Sequence, residues 1–183
     1  MIKKIFIIFL LFFFSKTNAS FKEQIINDLK KLNNLTFEFE QRINEKEENG
    51  NCTIEYPKKI FCEYYKSNNK ILISNGKSLV IKTDNKGSYY RYPLDQTPLS
   101  LILNKDFLIS KITNLNERIV DENYINYTIL ENNYEINIFF DKNNFNLVGW
   151  QTSDIYQNLN ITFISNFKKN QNIDQKIFNL PNP

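Results

Sequence analysis

The sequence predicts a mainly β protein, an antiparallel meander of roughly ten strands or slightly more with a few helices. Apolar and polar side chains alternate over stretch after stretch, turn formers separate those stretches at short intervals, and only two segments show helical spacing.

The first helical segment opens with Ser20-Phe21-Lys22-Glu23, a capping-box pattern in which Ser20 accepts from the third amide and Glu23 reaches back. Phe21, Ile25, Leu29 and Leu32 then recur on one face, and the helix is expected to end near Asn33-Asn34. From Leu35 the period becomes two: Leu35, Phe37, Phe39, Gln41 and Ile43 alternate with Thr36, Glu38, Glu40 and Arg42, as in a long strand with one wet face. The polar stretch Glu45 to Asn49, with Gly50, reads as the following turn.

Further strands are expected at Cys52 to Tyr56, Ile60 to Tyr65, Ile71 to Ser74, Ser78 to Thr83 and Tyr89 to Tyr92. Turns fall at Pro57, Ser67-Asn68-Asn69, Asn75-Gly76 and Asp84-Asn85-Lys86-Gly87. Beyond the midpoint come Tyr124 to Leu130, Tyr134 to Phe140, Leu147 to Thr152 and Leu159 to Phe167, broken at Glu131-Asn132-Asn133, Asp141 to Asn144 and Asp154. Thr97 to Ile112 is the second helical segment, with Thr97 as N-cap and Pro98 in the first helical position. Leu99, Leu101, Ile102 and Leu103 make it apolar on nearly every face, so something must cover it.

The N-terminus reads as a secretory signal: Lys3 and Lys4, an uncharged run from Ile5 to Phe14, and a small-x-small site at Thr17-Asn18-Ala19. The run falls short of the ~20 residues a spanning helix needs. Cleavage near Ala19 is therefore expected to leave residues 20–183 as one domain. No Cys follows the run until Cys52, which argues against a lipid-modified N-terminus. Lys3, Lys4 and Lys16 account for the whole excess of 23 basic over 20 acidic residues, so residues 20–183 carry balanced charge. A nucleic-acid binder shows a basic excess on one face, and none is visible.

The chain contains no His, which removes the commonest general base, the usual triads and the HExxH metal site. Ser67-Asn68-Asn69-Lys70 and Ser74-Asn75-Gly76-Lys77 match S-x-x-K but lie off any helix and lack companion motifs. Gly76-Lys77-Ser78 resembles a P-loop tail, yet Ile71 stands where that motif needs its first glycine. No enzyme, metal or cofactor is expected. Asn34, Asn51, Asn126 and Asn160 open N-x-T sequons, as chance allows in so Asn-rich a chain.

Cys52 and Cys62 flank the turn at Pro57, where a hairpin sets them opposite each other as a cross-strand disulfide. A redox-active pair would more usually read C-x-x-C, and metal binding without His is the weakest alternative. Aromatic content is 15%, and an open antiparallel sheet with an apolar concave face, capped by a short apolar helix, makes a pocket for methylene chains.

Five motifs in order resemble the outer-membrane lipoprotein carrier family, LolA. They are Leu35-Thr36-Phe37-Glu38-Phe39-Glu40-Gln41, Tyr56-Pro57-Lys58-Lys59-Ile60-Phe61-Cys62-Glu63-Tyr64, Ile71-Leu72-Ile73-Ser74-Asn75-Gly76-Lys77-Ser78-Leu79, Thr97-Pro98-Leu99 to Leu103, and Phe178-Asn179-Leu180-Pro181. The resemblance implies an unclosed antiparallel β-barrel of about 10–11 strands with helices covering its concave, hydrophobic face. It also implies a monomeric carrier in the periplasm. Such a carrier takes acylated lipoproteins from an ATP-driven inner-membrane transporter and delivers them to the outer membrane, to an acceptor if one is present. The family's Arg before the turn Pro, which bonds the lid, is matched here by Tyr56; a phenol can also bond a lid backbone group, but the closing interaction would differ in strength, and the sequence leaves open how the lid is held shut.

Parity selects the expected acyl-chain pocket: Leu35, Phe37 and Phe39; Ile54, Tyr56, Ile60, Cys62 and Tyr64; Ile136, Ile138, Phe140, Val148 and Trp150; Leu159, Ile161 and Phe163. The expected lid is Pro98, Leu99, Ile102 and Leu103. At roughly 0.8 kcal/mol per methylene, a sequestered sixteen-carbon chain gains on the order of 10 kcal/mol, so release demands a shallow, partly wet pocket whose lid opening offsets much of it. A lipid sensor or acceptor of the same fold is the rival, but an acceptor carries an anchoring Cys that Ala19-Ser20 lacks, and a sensor carries a further domain. A Ser/Lys hydrolase is the rival from another class.

Overall fold

The computed structural model describes residues 20–65, 70–83, 89–153 and 158–181. The signal segment 1–19 lies outside them, as do the turn residues Ser67-Asn68-Asn69, Asp84 to Gly87 and Asp154.

Helix α1 (Phe21–Lys31) begins with the expected capping box: Ser20 Oγ accepts from Glu23 N at 3.2 Å and Glu23 Oε2 accepts from Ser20 N at 3.0 Å. Its buried face carries Ile25 and Leu29. Six strands follow, β1 (Asn34–Ile43), β2 (Lys46–Glu55), β3 (Lys59–Tyr64), β4 (Ile71–Asn75), β5 (Ser78–Lys82) and β6 (Tyr89–Pro93). A 3-10 turn (Leu94–Gln96) leads to α2 (Leu99–Ile102) and α3 (Lys105–Asn114). The chain ends with β7 (Arg118–Val120), β8 (Tyr124–Glu131), β9 (Tyr134–Asp141), β10 (Leu147–Ser153), β11 (Leu159–Lys169) and a 3-10 turn (Gln175–Phe178).

All strand pairs are antiparallel, and they form one sheet of eleven strands in the order β6-β5-β4-β3-β2-β1-β11-β10-β9-β8-β7. The sheet is not closed into a barrel: β6 and β7 are its two edges. Those edges are consecutive strands in the chain, so the link between them, with α2 and α3, has to cross from one edge to the other. It crosses on the concave side, where Ile102, Leu103, Leu108 and Ile112 join α1 and the inner sheet face in a single hydrophobic core. Lys105 Nζ fastens α3 to the end of α1 by donating to Leu32 O at 2.7 Å.

Three details differ from the sequence reading. The stretch from Lys46 is strand, not turn; the turn is Asn44-Glu45, with Asn44 at φ 54°. Cross-strand pairs such as Arg42 opposite Glu47 hold it, so no apolar alternation marks it. Strand β7 is too short for a periodic signal, and its turn into β8 uses positive φ at Asp121 and Glu122 rather than at Gly. The second helical segment is two helices. Thr97 caps nothing with its side chain, since its Oγ1 donates to Leu94 O at 2.7 Å, whereas Asn104 caps α3 by accepting from Phe107 N.

Candidate functional site: a lidded hollow on the concave face

Register decides which side chains share the hollow. Phe37 stands opposite Cys52, Cys52 opposite Cys62, and Cys62 opposite Leu72, so these four form one inward-facing row across β1–β4. The row continues with Ile81 of β5. The Cys52–Cys62 disulfide expected from the sequence is present, with the two Cα atoms 4.1 Å apart, and it forms part of the floor.

One step further along β1, Phe39 faces Gly50, and Gly50 faces Tyr64. A Cβ at Gly50 would meet Glu63 O at 1.9 Å and Phe39 Cε1 at 2.8 Å, so only Gly lets the Phe39 ring lie down here. That ring meets Tyr64 edge-on with centroids 5.0 Å apart, and Phe37 meets Trp150 edge-on at 6.3 Å.

Between this floor and the lid lies a cavity of about 270 Å³. Phe37, Phe39, Ile60, Leu72, Leu79, Ile81, the disulfide, Tyr64 and Trp150 line it from the sheet, and Thr97, Pro98, Leu99 and Ile102 line it from above. Hydrogen bonds hold the lid at both ends, and Leu94 N, in the turn before it, donates to Lys77 O at 2.9 Å. Lys58 N donates to Leu103 O at 2.8 Å, and Tyr134 Oη donates to Gln96 O at 2.9 Å. Leu103 itself is fully buried.

The far end of the cavity is polar. Gln41, Lys70, Thr152, Asn160 and Thr162 line it, and Gln41 Nε2 donates to Thr162 Oγ1 at 3.2 Å. Lys70 Nζ sits 4.0 Å from the Tyr64 ring centroid and bonds Glu48 at 2.5 Å, while Lys46 holds the other Glu48 oxygen at 2.7 Å. Burial alone would raise the Glu48 carboxyl, but hydrogen bonds and charge from Lys46 and Lys70 outweigh it and hold the group below its ordinary range. Burial, and then the Glu48 charge, push the Tyr64 phenol up.

Several residues expected in the pocket lie elsewhere. Leu35, Ile54, Ile136, Ile138 and Phe140 are buried in the core and do not line the cavity. Val148, Ile161 and Phe163 are on the convex side, where they border a second cavity of about 430 Å³ with Val120, Tyr124, Phe139 and Trp150. The reason is register: Thr162 pairs with Gln41 and Trp150, so Thr162 shares their inner face and its neighbours Ile161 and Phe163 point away, Phe163 being 61% exposed. Leu159, 39% exposed, has the same parity as Ile161 and Phe163. Val148 falls at a register shift between Leu147 and Gly149.

Tyr56 does not bond the lid through its phenol. Its Oη is buried with no hydrogen-bond partner, burial pushes its ionisation up, and the neighbouring Lys58 backbone makes the lid contact instead. Ser74 is fully buried, with its Oγ donating to Lys58 O and accepting from Gly76 N. Among the described residues no three His, Cys, Asp or Glu are grouped to hold a metal ion, and no helix is long and apolar enough to cross a membrane.

The site residues missed from sequence are Gln41, Ile43, Cys52, Lys70, Leu72, Leu79, Ile81, Thr97, Thr152, Asn160 and Thr162. Gln41 and Ile43 carried a signal, since they continue the Phe37 and Phe39 parity. Thr152, Asn160 and Thr162 carried none, because polar residues on an inner face mimic an outer one.

Solved structures share the fold at low identity. A conserved protein from Thermus thermophilus is 12% identical with a TM-score of 0.53, over 86% of this chain and 93% of that one. MucB is 8% identical with a TM-score of 0.50, over 87% of this chain and 62% of its own. The LolA superfamily protein NE2245 of Nitrosomonas europaea is 8% identical with a TM-score of 0.46, over 88% of this chain and 99% of that one. No curated protein matches the chain significantly. The sequence model of the outer membrane lipoprotein carrier protein LolA matches residues 30–181. The match spans the floor, the lid and the closing 3-10 turn alike, and the chain belongs to the LolA family of outer membrane lipoprotein carrier proteins.

Proposed function

We propose that this protein is a periplasmic carrier that shelters the acyl chains of lipoproteins in the hollow between β1–β5 and α2. It takes them from an ATP-driven inner-membrane transporter and hands them towards the outer membrane, to an acceptor where one exists. The observation that carries the reading is an apolar cavity roofed by a short helix whose flanks are anchored on either side, at Leu103 and at Leu94 and Gln96. The family is one of binding and carrier proteins rather than enzymes.

The size of the cavity supports a carrier that must open. Sites for drug-sized ligands run to roughly 300–1,000 Å³, and the hollow here is about 270 Å³. A full acyl chain therefore enters only as the lid rises, and the hydrogen bonds lost in opening offset part of the gain from burying methylenes. That balance suits cargo that must be released.

The test is to express the protein with its own N-terminal segment, purify it from the periplasm and identify co-purified molecules by mass spectrometry. Acylated N-terminal peptides are the expected result. Phospholipid alone would point to a general lipid shuttle instead.

A further inference from the structure

The hollow is apolar along most of its length and polar at one end, and that end contains a buried acceptor with nothing to accept from. Asn160 lies opposite Ile43 on one side and Thr152 on the other, all three lining the cavity. Its Oδ1 is buried and has no hydrogen-bond partner. Two nearby donors are engaged with other partners: Gln41 Nε2 donates to Thr162 Oγ1, and Lys70 pairs with Glu48. An unmet buried acceptor is costly and seldom kept without a reason. The terminal torsion of Asn is broad, so the carboxamide can reorient towards the hollow with the backbone in place.

We infer that the polar end is the seat of the cargo's head, with Asn160 Oδ1 accepting from an amide N–H at the root of an acyl chain. This deepens the carrier reading and rests on it. A free fatty acid or a diacylglycerol fits the apolar length equally well but brings no amide N–H, so the site favours amide-linked acyl groups and the first peptide bonds beside them. A site that supplies a hydrogen-bond partner discriminates against an analogue lacking the matching group.

Two probes separate these statements: N-palmitoyl-glycyl-serinamide, and its analogue with an ester oxygen in place of the palmitoyl amide N–H. Binding is read from Trp150 fluorescence on the full-length protein. The wild type is expected to bind the amide about tenfold more tightly than the ester. Asn160→Leu is expected to bring the two within about twofold by weakening only the amide. Equal affinities on the wild type would overturn the assignment while leaving the carrier reading intact, and this arm depends on no variant folding. A preference that persists in Asn160→Leu would also overturn it. If the wild type bound neither probe, the carrier reading would fall and this assignment with it.

Discussion

The backbone N–H of Lys58 donates to the carbonyl of Leu103 at 2.8 Å, so the turn between β2 and β3 grips the far end of the lid. The near end is gripped from the opposite half of the sheet, by Tyr134 of β9 on Gln96. Opening must break one or more of these bonds. Because one is main chain and the other side chain, only the second can be removed cleanly.

Tyr134→Phe deletes the hydroxyl and keeps the ring. It is expected to cost about 0.5–1.5 kcal/mol of stability and to speed hydrogen exchange selectively in residues 97–103. Acyl-ligand association should also quicken. Unchanged exchange in that segment, measured by mass spectrometry, would show that the tether does not hold the lid.

The two faces of the sheet respond differently to charge. Phe39→Glu places a carboxylate on the apolar floor beside Tyr64, and binding of a palmitoylated peptide should be lost. Phe163→Glu adds the same charge on the convex side, where the side chain is already exposed, and should leave affinity within about twofold. A reversed pattern in a fluorescence titration would mean that the binding face is wrongly assigned.

Gly50→Ala should be among the most damaging small substitutions. Its methyl would meet the main-chain oxygen of Glu63, which cannot swing aside, and the Phe39 ring. A loss of about 1–3 kcal/mol or more in urea denaturation is expected from overpacking. A neutral effect would show that β2 and β3 can part at this point.

Glu48 sets part of the acid dependence of stability. Its folded-state carboxyl is held below the ordinary value of 4.5 by Lys46 and Lys70 despite burial. A depressed carboxyl contributes stability that is present above that ordinary value and is lost as pH falls through the folded one. Glu48→Gln should therefore flatten stability against pH below about 4.5, measured by denaturation from pH 7 downward. At the other extreme, burial and then Glu117 push the Tyr127 phenol up to about 12, so stability should decline as pH rises from about 10 towards that value.

Much of the sheet can be read from residues 34–43, 59–82 and 124–153 because most strands alternate apolar and polar faces, while β4 and β5 are short apolar runs, Ile71-Leu72-Ile73 and Leu79-Val80-Ile81, bounded by turn residues. The first half of β2 is hidden because Lys46, Glu47 and Glu48 pair with neighbouring strands and side chains by charge, which leaves no hydrophobic period. The face of β11 misleads for a related reason. Its outer positions Ile161 and Phe163 are apolar while its inner positions Asn160 and Thr162 are polar, so hydrophobicity points to the wrong side. Only the pairing of Thr162 with Gln41 and Trp150 resolves it. The position of the lid follows from Thr97-Pro98 and the apolar run after it, but its tether does not, because a main-chain bond from Lys58 leaves no trace in side-chain chemistry.

The most direct test of chain entry uses a palmitoylated peptide brominated near the methyl end, since bromine quenches indole only at close range. Trp150 is the chain's single Trp and lines the hollow. Quenching of the wild type is expected, with little or none in a Trp150→Phe, Phe163→Trp double variant whose indole sits on the convex side. Bright wild type with a quenched double variant would place the chain outside the hollow and contradict the account.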